Sequence, residues 1–254
     1  MSIRAKQSLL LAICLVAVIA TLLTPRIPQD PAYHLFADQN SFLAIPNALN
    51  VLTNLIFAWI GIEGLYRLQR PGELQILDQF RIAYQAFFTS LVLISAGSIY
   101  YHWSPDNLSL AWDRVAMTVS FMSFFAILLA ERVSFRAGRM LLPALLCAGI
   151  ASIAYWYYSE IGGRGDLRFY ALIQYLTVLC IPLLMALFRG RYTRSSDIWW
   201  LLAWYLAAKL CELYDREIYQ WLVLISGHSL KHIASGIAGL VFLRHLRYRA
   251  RLPR

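Results

Sequence analysis

The sequence predicts an all-α fold: a polytopic membrane helical bundle with a seven-helix core and one extra transmembrane helix at the N-terminus. Two observations carry that prediction. Of the 254 residues 59% are apolar and only 15% are charged, whereas soluble domains are about 45–50% apolar. The apolar residues also fall into runs of about 18–23, the length that crosses a hydrocarbon core of about 30 Å. A transmembrane β-barrel would instead show alternating segments of about ten residues, and the sequence has none.

In chain order the runs lie at about 8–24, 45–66, 82–102, 110–130, 140–158, 169–188, 198–214 and 224–243. The first follows "RAKQ", which suits a signal peptide, but "TLLTPRIP" offers no small-x-small cleavage site, so a retained anchor is expected. A polar loop, 25–44, separates it from the rest. The third and fourth runs are joined by "SPDN" (104–107), where Pro105 stops one helix and Asp106 or Asn107 caps the next. The chain thus divides into a membrane anchor with its outer loop (1–44), a seven-helix core (45–243) and a basic tail (244–254).

Charge sorts the loops. With the N-terminus inside, sixteen Lys and Arg residues lie in the inner loops and termini, among them Arg67, Arg70, Arg132, Arg136, Arg189 and Arg247, while the outer loops hold four (Arg26, Arg164, Arg168 and Arg216). That bias predicts a multi-pass protein with both termini cytoplasmic and supports the number of spans, since a missed helix would scramble the alternation. The net charge of +9 therefore reflects membrane topology, and no nucleic-acid partner is expected. Cys14, Cys147, Cys180 and Cys211 each sit in an apolar run without a CxxC pair; they are read as buried small apolar residues.

Against this background a few polar residues stand out. Ser98 and His102 are four apart and share one helix face near the outer end of the third span. Asp113 lies about one turn below the same surface on the fourth span, and "HSLKH" puts His228 and His232 four apart at the outer start of the last. Three histidines, a carboxylate and a hydroxyl at one depth suit a catalytic zinc. Three neutral imidazoles leave a fourth position for water, whose pKa falls to about 7. Asp113 is the candidate acid–base group beside the metal, and Ser98 the candidate donor to the carbonyl oxygen.

Blander readings compete with this one. A membrane histidine is commonly a hydrogen-bonded packing residue, and histidines on different helices also ligate haem, though haem would leave Ser98 and Asp113 unexplained. His34 and His245 are read as ordinary solvated residues, and Arg114 as paired with Asp106 or Asp113, or snorkelling outward. Lys209 and Glu212 form an expected ion pair, as do Glu63 and Arg67. Asp215 is a candidate partner for a ligand histidine. Lys231 is expected to point away from His232, and "YWYY" (155–158) with Trp199 and Trp200 to form interfacial belts.

"SIYYH", then Asp113, then "HSLKH" resembles the alkaline ceramidase family, part of a superfamily of seven-helix membrane hydrolases that also contains adiponectin-type receptors. "NALNVLTNLIF" (47–57), with Asn50 and Asn54, is similar to the Asn-rich first core helix of these proteins. The resemblance implies His102, His228 and His232 on zinc, Asp113 as proton shuttle and Ser98 as carbonyl-polarising group. The implied reaction is hydrolysis of the amide of a ceramide-like N-acyl lipid by zinc-bound water, with a membrane lipid as the substrate partner and no expectation for protein partners. The alternatives are a lipid-binding, receptor-like protein with a structural zinc, or an ester hydrolase acting on other membrane lipids. Eukaryotic members carry an acidic calcium-binding stretch, with a Glu where this chain has Asn47; here Asp38 is the only carboxylate in the matching region, which argues against calcium. The compact loops look like those of bacterial members, implying a bacterial inner membrane with the active site near the outer face.

Overall fold

The computed structural model describes residues 1–253, and among the described residues the chain is helical, with no strand. The helices are α1 (Ile3–Leu23), α2 (Ala48–Leu52), α3 (Leu55–Leu68), α4 (Arg81–Trp103), α5 (Asn107–Arg132), α6 (Phe135–Ile161), α7 (Arg168–Leu187), α8 (Ser196–Leu213), α9 (Asp215–Leu222) and α10 (Gly227–Tyr248). Six segments are long and apolar enough to cross a membrane: α1, α2 with α3, α4 with the turn before it, α5, α6 and α7. The other two expected spans, α8 and α10, are 18 and 22 residues long and are not among these six. This is a helical membrane bundle.

The helix ends follow local chemistry. Asp106 and Ser109 form a reciprocal capping box that starts α5, so the "SPDN" turn reverses the chain as expected. Ser226 caps α10 through the amide of Ser229, 3.2 Å away. Two features were not expected. The run at 45–66 is broken at Thr53 and Asn54 into α2 and α3, and a short amphipathic helix, α9, precedes the last span.

α5 is the most buried span, packed against α4 on one side and α6 on the other, while α8 lies along α10. Phe87 and Phe124 both meet Phe242, with ring centroids 4.9 Å apart in each pair. α1 sits outside, against α7. Leu11, Leu15, Trp59, Ile62, Trp112 and Leu206 are exposed, as lipid-facing side chains are. The four cysteines are free thiols: Cys180 is buried, Cys14 and Cys211 are half-buried and Cys147 is exposed. The expectation that all four are buried fails for Cys147, whose helix face is turned outward.

The loops gather at two ends in the pattern that their charges suggest. At one end the outer loop joins the α6–α7 turn through the Leu167 amide to Ile27 oxygen, 2.8 Å, and the Gln29 amide to Glu160, 2.6 Å. At the other, the Gln75 amide donates to Leu246 oxygen at 2.7 Å, and the Leu252 amide to Arg191 oxygen at 2.9 Å. α10 runs past the expected boundary at 243/244, and residues 249–252 are tied into this end rather than hanging free.

A buried ion pair closes it. Arg249 donates to both carboxylate oxygens of Glu131, at 2.6 and 2.9 Å, and the Tyr84 hydroxyl donates to Glu131 at 2.6 Å. His245 is 3% exposed, with Nε2 3.0 Å from Arg249 Nη1 and Nδ1 3.3 Å from Asp197. The reading of His245 as solvated is therefore wrong: the arginine-rich sequence around it looks like a tail, but the helix carries it into the bundle. Because removing one member of a buried pair strands the other charge, Arg249→Ala is expected to destabilise the protein by about 3–5 kcal/mol. Arg247→Ala, on the exposed side, should shift stability by less than about 0.5 kcal/mol. Thermal unfolding of the two variants in detergent checks the contrast.

Candidate active site

At the opposite end, His102 from α4 meets His228 and His232 from α10. Their ring centroids form a near-equilateral triangle of 4.9, 4.9 and 5.1 Å. All three rings are buried, and one nitrogen from each lies within 4.8 Å of the others. His102 Nε2 and His232 Nε2 stand 3.3 Å apart. Two nitrogens bound at about 2.0–2.1 Å to one tetrahedral ion would stand about 3.3–3.4 Å apart, so the pair fits a shared metal. The buried Nδ1 of His102 has no partner among the described residues.

Neighbouring helices hold each ring in place. Thr53 Oγ1 and Asn54 Nδ2, at the break between α2 and α3, lie 3.0 and 3.3 Å from His232 Nδ1. That bond turns the other ring nitrogen toward His102, as the outer hydrogen bond of a metal-ligating histidine does. Asn47 donates to the backbone oxygen of His102 at 2.8 Å. Asn50 accepts from Ser229 at 2.7 Å and donates to Asp38 oxygen at 3.1 Å. The asparagines at 47, 50 and 54 thus form one helix face that binds α4, α10 and the outer loop together. Asp38, 1% exposed, accepts from the Asn40 amide at 3.0 Å and closes a local turn.

Two contacts anchor the start of α10. Asp215 accepts from the His228 backbone amide at 2.6 Å, so it fixes the main chain of that histidine and not its ring. Gly227 sits where a Cβ would come within 2.2 Å of Cys211 oxygen, and only glycine allows that approach. The outer loop forms the roof, with the Phe36 ring 4.6 Å from His102 and 5.0 Å from His228. His34 bridges the Tyr101 hydroxyl and Asn107, each at 3.1 Å, so it is a tie between loop and helix ends rather than a solvated residue. Burial, with the Glu212 charge adding to it, pushes the Tyr33 phenol well above its usual range; it stays neutral and donates to Glu212 at 3.1 Å.

Ser98 and Asp113 stand beside each other across the α4–α5 contact. Gly97 makes this possible, because a Cβ there would lie 3.0–3.1 Å from the backbone of Trp112 and Asp113. Both side chains line a cavity of about 360 Å³, together with His232. Its polar end holds Arg114, Lys209, Glu212 and Lys231; its depth, toward Phe87, Phe124 and Ala238, is apolar. The structure therefore brings the three histidines together and sets Ser98 and Asp113 on the cavity that His232 also lines. Two distant sequence segments meet because α10 packs between α3 and α8.

Three smaller expectations change. Lys231 does not point away: three residues after His228 on α10, its Nζ is 3.0 Å from His228 Nε2 and 3.0 Å from Glu212. Lys209 pairs with Glu212 as expected, and Glu63 with Arg67 at 2.5 Å. Arg114 pairs with neither Asp106 nor Asp113 but sits among the rings of Trp156, Tyr170 and Tyr33. Trp156 is fully buried, so only part of "YWYY" faces lipid, whereas Trp199 and Trp200 are exposed. Sequence reasoning gave no role to Thr53, Phe36 or the Trp156 cage; a polar Thr-Asn pair inside an apolar run was the one available signal.

The ceramidase family model matches residues 41–252. This chain belongs to the ceramidase family. The matched region starts in the loop before α2 and runs through the triad to residue 252, so family membership covers the whole site and the end closed by Glu131 and Arg249. Family membership makes it a hydrolase of amide bonds and gives it a lipid substrate in the membrane. No curated protein matches the sequence.

The α4–α5 contact gives a direct test of this packing. Gly97→Leu is expected to force the two helices apart, with an overpacking cost of about 1–3 kcal/mol. The unfolding midpoint in detergent should fall by about 2–10 °C.

Proposed function

We propose that this ceramidase-family protein is a zinc-dependent intramembrane hydrolase that cleaves the amide of a ceramide-like N-acyl lipid. One observation carries the proposal: three mutually facing histidines stand at a cavity that one of them, His232, lines together with the carboxylate of Asp113 and the hydroxyl of Ser98, above an apolar depth. His102, His228 and His232 would hold the ion; an all-imidazole donor set suits zinc. What zinc supplies when bound is Lewis acidity, toward a carbonyl oxygen and toward water.

The remaining chemistry belongs to the chain. The acyl tail lies in the depth between Phe87, Phe124 and Ala238, and the amide rests at the level of Ser98. The Ser98 hydroxyl donates to the carbonyl oxygen. Asp113, which is not a ligand, takes a proton from the attacking water and returns it to the amine nitrogen as the C–N bond breaks. The water oxygen ends on the acyl carbon, giving a fatty acid and a free amine. The Phe36 roof limits bulk water above the histidines. The charge bias of the loops supports an orientation with both termini cytoplasmic and the site near the outer face, as in a bacterial inner membrane.

Purified protein should carry about one zinc per chain, and replacing His102 or His232 by Ala should abolish both metal and turnover. Asp113→Asn should keep the metal and lose about 10²–10⁴-fold in kcat. Metal analysis and fatty-acid release from N-acyl and O-acyl lipids check both. Zinc retained with no hydrolysis of any lipid would refute the enzyme reading, and faster cleavage of O-acyl lipids would replace amide by ester. Thr53→Val is expected to weaken metal affinity about 10- to 100-fold, read by chelator competition.

A further inference from the structure

One cation in the cavity makes no ion pair among the described residues. Arg114 is 6% exposed, and its Nη1 has no hydrogen-bond partner among the described residues. The guanidinium lies 4.5 Å from the Trp156 ring, 5.0 Å from Tyr170 and 5.3 Å from Tyr33. These rings come from α6, α7 and the outer loop, so four segments of the chain fix one side chain. Ring faces attract a cation but leave its in-plane N–H donors unsatisfied.

The charges around it do not balance. Arg114, Lys209 and Lys231 line the polar end of the cavity with Asp113 and Glu212. Both lysines are committed to Glu212, and Asp113 stands beside Ser98. Arg114 is the one of the three cations that makes no ion pair among the described residues. A buried cation without a partner is costly, and a rigid ring cage around it holds a donor fork ready for an oxyanion. A planar guanidinium binds a carboxylate or phosphate through two parallel bonds, which a lysine cannot do.

We propose that Arg114 selects substrates carrying an anionic oxygen group, a carboxylate or a phosphate, on the amine side of the scissile amide. The inference rests on the amide-hydrolase reading and narrows its substrate class from N-acyl lipids in general to acidic ones. The amine side follows from the cavity: its apolar depth takes the acyl chain, while Arg114 shares the polar end with Tyr33 and the lysines. Arg114 and Asp113 line the same cavity, so the anion lies on the amide-nitrogen side that Asp113 serves.

The test uses the full chain in detergent with three palmitoyl amides: N-palmitoyl glycine, N-palmitoyl ethanolamine phosphate and neutral N-palmitoyl sphingosine. An acidic lipid is expected to lead in kcat/KM by about tenfold or more, and the better of the two identifies carboxylate or phosphate. Arg114→Gln should erase the preference mainly through KM, by about 10- to 100-fold, and Arg114→Lys should restore part of it. A neutral lipid cleaved as well as the acidic ones, or an equal loss on all three in Arg114→Gln, overturns the inference. If none is cleaved, the hydrolase reading fails separately, and ligand-induced shifts of the unfolding midpoint decide. An acidic lipid that stabilises the wild type but not Arg114→Gln supports anion selection, and equal shifts refute it. Should Arg114→Gln not fold, Arg114→Lys carries the comparison, with selectivity as high as in the wild type counting against the inference.

Discussion

Hydrocarbon offers no hydrogen-bond partner, so every polar group inside this bundle must be satisfied by another part of the chain. That single constraint organises both ends of the molecule. At one end Glu131, Arg249, Tyr84, His245 and Asp197 close on one another. At the other, asparagines, a threonine, carboxylates and lysines surround three histidines. Between them the core is aromatic and aliphatic, with Phe87, Phe124 and Phe242 in mutual contact.

The Glu131 cluster and the histidine site differ in one respect that bears on function. Around Glu131 the charges are matched: Arg249 has a carboxylate, a ring and a backbone oxygen. Around the histidines the account is left open. His102 Nδ1 and Arg114 Nη1 are buried without partners, and both belong to the site, Arg114 on the cavity wall and His102 in the triad beside it. Orphaned polar atoms are rare in native structures, and of these two the Arg114 donor faces the cavity.

Rigidity at the site comes from an irregular helix. The break at Thr53 and Asn54 interrupts a span and exposes side chains that reach His232, while Asn47 and Asn50 hold the neighbouring helices in register. Non-helical backbone at membrane depth is tolerated where protein buries it. The outer loop adds the roof through Phe36 and His34, so the residues before the first core helix contribute to the site rather than merely link it to the anchor.

Much of this was legible in the chain. Helix-length apolar runs and the asymmetry of arginine gave the spans to within a few residues. Spacings of four, with the Pro105 turn, put Ser98, His102, Asp113, His228 and His232 at one depth. Those are local properties, set by residue type and helical period. What the tertiary structure alone decided is which side chains face one another at that depth. Lys231 turned to His228, Arg114 found rings instead of carboxylates, and His245 left a basic tail for the core. Periodicity fixes a residue's face on its own helix, but its partner depends on the packing of helices far apart in sequence, and that no local pattern records.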